Sequence, residues 1–266
     1  MNNKMKILNR SVRNVCIIGD VHSSPNELRS IIKKSKDKGI TRFISLGDLW
    51  DRGYDPNGVT EIIHEMIKNN ELDIIMGNHD YKFIRHFAGQ KVSISHEQTE
   101  TLDKLTQKSI ELLYDIFIDQ PVAIYDPFTK VFISHAFGGR PYNILRQDHR
   151  KNPAYSQMTF ESYIHCVDDK VFDKKHVSNL LYGITNGLTT ENGRPVRLPI
   201  TKSIDDELDG WVYVAGHHHY ACLFPENGNK HCVCVDFCSG EPGGKLAGLI
   251  VKENGIIEEG NLIFAE

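Results

Sequence analysis

The chain has 266 residues, with 31 Lys and Arg against 35 Asp and Glu, a formal net charge of −4, and is 40% hydrophobic and 25% charged. That length and apolar share suit one large α/β domain with its own core and exclude a disordered or fibrous chain. The mild acidity excludes a broad electrostatic grip on a membrane and an extended nucleic-acid-binding surface.

The opening MNNKMKILNRS holds charge and no long apolar run, and no stretch of about 18 apolar residues follows it. We expect no export signal, no membrane span and a cytoplasmic location. The 6 cysteines form no CxxC pair, which predicts reduced intracellular thiols. His231, Cys232, Cys234 and Cys238 are close enough in sequence to suggest zinc. However, Cys232 and Cys234 alternate with Val233 and Val235 as in a strand, which predicts core thiols.

Along the chain, short apolar runs stop abruptly at small polar residues. NVCIIGDVH predicts a strand over about 14–18, RFISLGDLWDRG one over about 42–46, and LDIIMGNHD one over about 72–76. Between them, SPNELRSIIKKSKDKG opens at Pro25 and closes at Gly39. PNGVTEIIHEMIKNN spaces Val59, Ile62, Ile63, Met66 and Ile67 at helical period. This β-α-β-α-β order favours a parallel sheet. A helical region follows over about 79–118, then two strands in VAIYD and KVFISHAFGG. Residues 141–205 are less regular, with a loop around YGITNGLTTENGRPVRLP, and read as an insertion or lid. GWVYVAGHHHY, KHCVCVDF and KLAGLIVKENGIIE close the chain as strands.

The strand ends collect Asp20, His22, Asp48, Asn78, His79, His135, His217 and His219. This is an oxygen and nitrogen donor set that suits Mn²⁺, Fe or Zn²⁺. Ligand sites in open α/β sheets gather beyond the carboxyl ends of strands, where residues distant in sequence meet. Each fragment alone reads as well as a turn or a helix cap. The case for a metal site lies in five such fragments in order, each directly after an apolar strand. In the triplet of GHHHY, an extended backbone would put His217 and His219 on one face and turn His218 away.

Together GDVH, GDLWDRG, GNHD, SHA and GHHH resemble the calcineurin-like metallophosphoesterase superfamily. GDLWDRG looks like the form found in bacterial and phage serine/threonine phosphatases and in bis(5′-nucleosyl)-tetraphosphatases, which makes a bacterial or phage source the expectation. LYGITNGLTTENGRPVRLP and VDFCSGEPGGKLAGLIV look like the phosphatase module of bacterial polynucleotide kinase-phosphatases, without the GxxxxGK[ST] loop of their kinase module.

The resemblance implies an α/β fold, a four-layer αββα sandwich of two mixed β-sheets flanked by helices, as a single domain over 1–266 with the insertion at about 141–205. It implies two divalent metals, with Mn²⁺ first and Fe, Zn²⁺ or Ni²⁺ compatible. Asp20, His22 and His219 would bind the first and Asn78, His135 and His217 the second, with Asp48 between them. A pair of cations about 3.5–4 Å apart stabilises both the attacking and the leaving oxygen of an in-line displacement. A hydroxide bridging them would attack a phosphomonoester on a nucleotide or a nucleic-acid end. His79 would be the general acid, Asp51 its orienting partner and Arg52 a fork for phosphate oxygens. Arg140, Asp236 and Trp50 are further candidates for substrate contact, the indole either stacking on a base or packing. Arg146, Arg194 and Arg197 lie in the irregular segments and read as phosphate contacts or as surface charges. Ser23 stands where the family has glycine and would narrow the approach to the metals. Phe137, in an extended SHAFGG, would shape the pocket wall.

Alternative readings are a serine/threonine protein phosphatase, a hydrolase of diadenosine tetraphosphate or 2′,3′-cyclic phosphates, and a degenerate scaffold without activity. The completeness of the ligand set speaks against the scaffold. Oligomeric state is not written in the sequence.

Overall fold

The computed structural model describes residues 11–117, 120–126, 129–138, 165–167, 174–191, 195–198, 212–218, 232–255, 257 and 259–266. The first half alternates strand and helix. β1 (Val15–Ile18), β2 (Arg42–Ser45) and β3 (Leu72–Ile74) are joined by α1 (Pro25–Lys36) and α2 (Pro56–Lys68). Proline opens both helices at the position where its missing N–H costs nothing. Asp55 caps α2 by accepting the Gly58 N–H at 2.9 Å. The helical region then resolves into α3 (Asn78–Phe87), α4 (His96–Lys104) and α5 (Gln107–Phe117). Ser95 and Gln98 form a reciprocal capping box at the start of α4.

The second half supplies β4 (Ala123–Asp126), β5 (Val131–Ser134), β6 (His165–Val167), α6 (Lys174–Tyr182), β7 (Thr185–Thr189), β8 (Pro195–Arg197), β9 (Val212–Ala215), β10 (Cys232–Cys234), β11 (Asp236–Phe237), β12 (Lys245–Val251) and β13 (Leu262–Phe264). One sheet has the order β11-β12-β1-β2-β3 with β13 also on β12, and the other the order β10-β9-β5-β4-β6. Both are mixed. β1, β2 and β3 run parallel while β12 opposes β1, and β5, β9 and β10 run parallel while β4 opposes β5.

The central strands β1, β5 and β9 read as nearly unbroken apolar runs because they are buried on both faces. Val15, Ile17, Ile44, Ile124, Val131, Ile133, Val214, Val233, Leu249 and Val251 form one cluster, where the sheets face each other. The alternate residues Cys16, Ile18, Phe43, Phe132, Tyr213, Cys232 and Cys234 share the other cluster with Leu28, Ile31, Val59 and Ile63 of the covering helices and Leu180 and Leu181 of α6. A four-layer sandwich follows from that alternation. Each fully buried Ile, Leu or Val contributes about 1.5–3 kcal/mol. Cys16 and Cys232 are thiols whose burial pushes them up to about 12. No cysteine belongs to a metal-capable cluster among the described residues.

One element departs from expectation. The YGITNG…PVR segment, read as loop, carries the hairpin β7–β8, with Thr185 opposite Arg197 and Thr189 opposite Pro195. Its β7 residues are all exposed, so no alternating apolar signal marks it. Within 141–205, β6 pairs with β4 and Leu180 and Leu181 of α6 are buried, while the β7–β8 hairpin forms a two-stranded sheet of its own.

Candidate active site

Both sheets deliver their carboxyl ends to one place. Asp20 and His22 follow β1, Asp48 follows β2, Asn78 and His79 open α3 after β3, His135 follows β5, and His217 follows β9. The loops are knitted by backbone. Val21 and His22 N–H both donate to the Asp48 carbonyl, at 3.1 and 3.0 Å, and Gly216 N–H donates to the His135 carbonyl at 2.9 Å. Glycine precedes the ligands because backbones approach closely there. A Cβ on Gly77 would stand 2.1 Å from the Asp48 nitrogen, and one on Gly216 would stand 2.1 Å from Asp20 Oδ1.

Two buried groups of metal-capable side chains result: Asp20, His22 and Asp48, and Asp48, His135 and His217, the donor atoms within each lying no more than 4.8 Å apart. Asp48 belongs to both. The imidazoles are aimed by their second nitrogens. His135 Nδ1 donates to the Leu46 carbonyl at 2.8 Å, leaving Nε2 at 2.8 Å from Asn78 Oδ1 and 3.3 Å from Asp48 Oδ2. His22 Nδ1 is 3.3 Å from the Trp50 carbonyl. Such outer bonds set the tautomer of a metal-ligating imidazole.

The electrostatics call for cations. Burial, then the Asp236 charge, pushes the Asp20 carboxyl well above its usual range. Burial also works against the Asp48 carboxylate, but the His135 and His79 charges outweigh it and hold Asp48 well below. Burial opposes the His135 proton too, yet the charges of Asp48 and Asp20 raise its pKa to about 10. That proton balances the buried carboxylates, and a divalent cation bound by the same residues would displace it. Burial lowers His22 to about 3, and burial, His135 and Arg197 lower His217, which keeps both imidazoles neutral, as ligands must be. Carboxylate, amide oxygen and imidazole, with no thiolate, fit borderline or hard divalent ions.

His79 stands beside this cluster. Its backbone N–H donates to Asp48 Oδ1 at 2.9 Å, its Nδ1 is hydrogen-bonded to Asp51 Oδ2, and its Nε2 lies 3.9 Å from Asp48 Oδ2. Burial opposes its proton, but the Asp48 charge and the Asp51 bond more than compensate and raise the pKa. Asp51 is fully buried and also accepts from Thr101 Oγ1 at 3.5 Å. Arg52 Nη1 pairs with Glu241 Oε1 at 2.9 Å. Asp236 is buried near Asp20, and its Oδ1 accepts the Cys238 N–H at 2.8 Å. His219 and Arg140 lie outside the described residues, as do Arg146, Arg194 and His231.

Several expectations need correction. The Trp50 ring is 1% exposed, packs edge-on against Phe117 at 4.8 Å and donates its N–H to Thr60 Oγ1 at 2.9 Å. It is a core residue with no face left for a base. Phe137 is likewise buried, packed against Tyr213 and His218. Ser23 is fully buried at φ +52, a left-handed conformation in which glycine is free of strain. His217 has φ +62, so β9 has ended and strand alternation does not govern the triplet. His218 serves as an anchor: its Nε2 accepts the Phe137 N–H at 3.0 Å.

The structure also brings in residues the motifs did not single out for this place. Arg197 reaches from β8 to put Nη2 2.7 Å from His217 Nε2, with its Nε donating to the Tyr182 carbonyl at 3.0 Å. Asp80 accepts the N–H groups of Leu49 at 3.0 Å and Gly77 at 3.3 Å. GNHD carried a trace of Asp80 as a turn residue, and Arg197 was one of several arginines read as a phosphate contact or a surface charge, with nothing in the sequence to set it apart from Arg146 and Arg194.

A family model for calcineurin-like phosphoesterases matches residues 13–234. Bis(5′-nucleosyl)-tetraphosphatase PrpE (asymmetrical) of Halalkalibacterium halodurans is 27% identical over 217 residues, which cover 76% of this chain and 76% of that protein. Among solved structures, a chain proposed to be a diadenosine tetraphosphatase is similar with TM-score 0.55 at 16% identity, over 100% of this chain and 96% of that one. A protein serine/threonine phosphatase of Saccharomyces cerevisiae has TM-score 0.51 at 17% identity, over 94% of this chain and 78% of that one. Those two likenesses are of fold. Shared Asp48, converging strand ends and a match over most of the length lead to one conclusion: the chain belongs to the calcineurin-like phosphoesterase family.

Proposed function

We propose that this metal-dependent phosphoesterase hydrolyses phosphate groups of nucleotides, with dinucleoside tetraphosphates as the preferred substrates. The observation that carries the reaction is Asp48, common to two buried carboxylate–imidazole groups and 3.9 Å from His79 Nε2. The substrate class is supported by the tetraphosphatase relatives, which align over three quarters of both chains.

In this reading Asp20, His22 and His219 would hold one divalent ion, Asn78, His135 and His217 would hold the other, and Asp48 would serve both, with Mn²⁺ the first candidate. When bound, the ions supply Lewis-acid stabilisation and a water acidic enough to attack phosphorus near neutral pH. The chain's own residues do the rest. His79 donates a proton from Nε2 to the leaving oxygen. Asp51 holds that ring by Nδ1 and keeps it charged. Arg52, released from Glu241, and Arg197, beside His217, grip non-bridging oxygens as planar forks. Asn78 contributes a neutral oxygen and adds no negative charge near an anionic substrate.

A second reading, a phosphatase of nucleic-acid ends, draws on one observation. The segment that resembles the polynucleotide phosphatase module is the one that brings Arg197 to His217. The test is a rate panel with Mn²⁺: diadenosine tetraphosphate, a 3′-phosphorylated oligonucleotide, a 2′,3′-cyclic end and a phosphopeptide. The highest kcat/KM is expected for diadenosine tetraphosphate. A lead for the oligonucleotide would decide for the second reading, and a lead for the phosphopeptide would overturn both. His79→Ala should lower kcat by about 10²–10⁴-fold.

A further inference from the structure

A cleft of about 470 Å³ opens between α3 and α6, walled by Tyr81 and Arg85 from one helix and Val177, Ser178, Leu181 and Tyr182 from the other. We infer that this cleft is the nucleoside subsite, taking the base of a nucleotide whose phosphates lie at the His217 side of the centre. The inference rests on the nucleotide reading above and goes beyond it by naming where selectivity for the base resides.

Position is the first argument. α3 opens with Asn78 and His79, and Tyr81 is one turn from Asn78 on the same helix. On the other wall, the Tyr182 ring stands perpendicular to the His217 ring with centroids 6.4 Å apart. The Tyr182 carbonyl is held by Arg197, whose other end touches His217. Direct contacts therefore join the wall of the cleft to the phosphate-handling residues.

Chemistry is the second. The walls offer aromatic rings, an aliphatic floor from Val177 and Leu181, and a guanidinium. The Arg85 Cζ lies 5.5 Å from the centroid of the Tyr81 ring and its Nε donates to Gln90 Oε1 at 2.9 Å, so the cation is already held over a ring. Tyrosine faces and stacked arginines bind any nucleobase through its π-face. The volume lies in the range of small-molecule sites, which run from about 300 to 1,000 Å³. The Trp50 ring, for which the sequence left stacking on a base or packing open, is locked in the core. The Tyr81 and Tyr182 rings, in contrast, are only partly buried.

The experiment compares kcat/KM for diadenosine tetraphosphate with that for p-nitrophenyl phosphate, which has no base, using the full chain with Mn²⁺. In Tyr81→Leu the ratio of the two should fall at least about tenfold, mainly through KM for the nucleotide. Ser178→Trp, which fills the cleft from its exposed edge, should lower the ratio similarly. Tyr81→Phe, which keeps the ring, should stay within about twofold of wild type. Wild-type turnover of diadenosine tetraphosphate with an unchanged ratio in both Tyr81→Leu and Ser178→Trp would overturn the subsite alone. Wild type that cleaves p-nitrophenyl phosphate and no nucleotide would overturn the substrate reading, and the subsite with it.

Discussion

Asp51 shows how much one buried carboxylate decides. It is fully buried, yet it orients the His79 ring and raises the His79 pKa. A general acid works only while protonated, so activity falls as pH rises through its pKa. Removing the Asp51 charge lowers that pKa, and the alkaline limb of kcat must move to lower pH. Asp51→Asn is expected to lose about 10–100-fold in kcat near pH 8 and less at lower pH, read from a kcat–pH profile. A profile that drops uniformly, with its limbs in place, would remove His79 from the acid role. Single residues also hold strain here. His22, Ser23, Asp48, Asp51, Arg52 and His217 all have positive φ between 46° and 88°. Non-glycine residues pay for that conformation, and such cost gathers at functional sites where surrounding structure enforces it.

Among elements, α3 carries the most chemistry, because its first turn holds Asn78 and His79 and its next wall faces the cleft. Its entry is tied to the Asp48 loop by Asp80, which accepts the Leu49 and Gly77 N–H groups. Asp80→Ala would leave two buried donors without partners and should cost about 2–3 kcal/mol, measured by urea denaturation. Asp80→Asn retains one acceptor oxygen and should cost less; equal costs would mean that the bonds do not carry the effect. The helices α1 and α2 and the first three strands were legible within a residue or two, since each has strong periodicity and a proline or glycine at its ends. The β7–β8 hairpin was not, because a two-stranded ribbon exposed on both faces has no buried side to impress on the sequence.

For the molecule as a whole, the two sheets are pressed together by the Val, Ile and Leu cluster while Asp20, Asp48 and Asp236 are drawn together at their carboxyl ends. Packing carries the repulsion among those carboxylates when cations are withdrawn. Chelation should therefore lower Tm. Mn²⁺ at about 100 times its Kd should add roughly 2.7 kcal/mol per site, or ~5–10 °C. Scanning calorimetry with EDTA and with Mn²⁺ checks this, and identical transitions would refute a two-ion centre built into the native state.

The amino-acid sequence alone determined the class of fold and the ligand candidates. Apolar runs ending in Gly-Asp, Gly-Asn or Gly-His are local features, and the close backbone contacts at Gly77 and Gly216 leave no room for a side chain. Only the tertiary structure decided which side chains meet. It turned Trp50 into the core, set His218 against the Phe137 backbone, and brought Arg197 and Tyr182 to His217. Those outcomes depend on how two sheets and their covering helices pack across long sequence separations, and no local pattern of residue types encodes that distance.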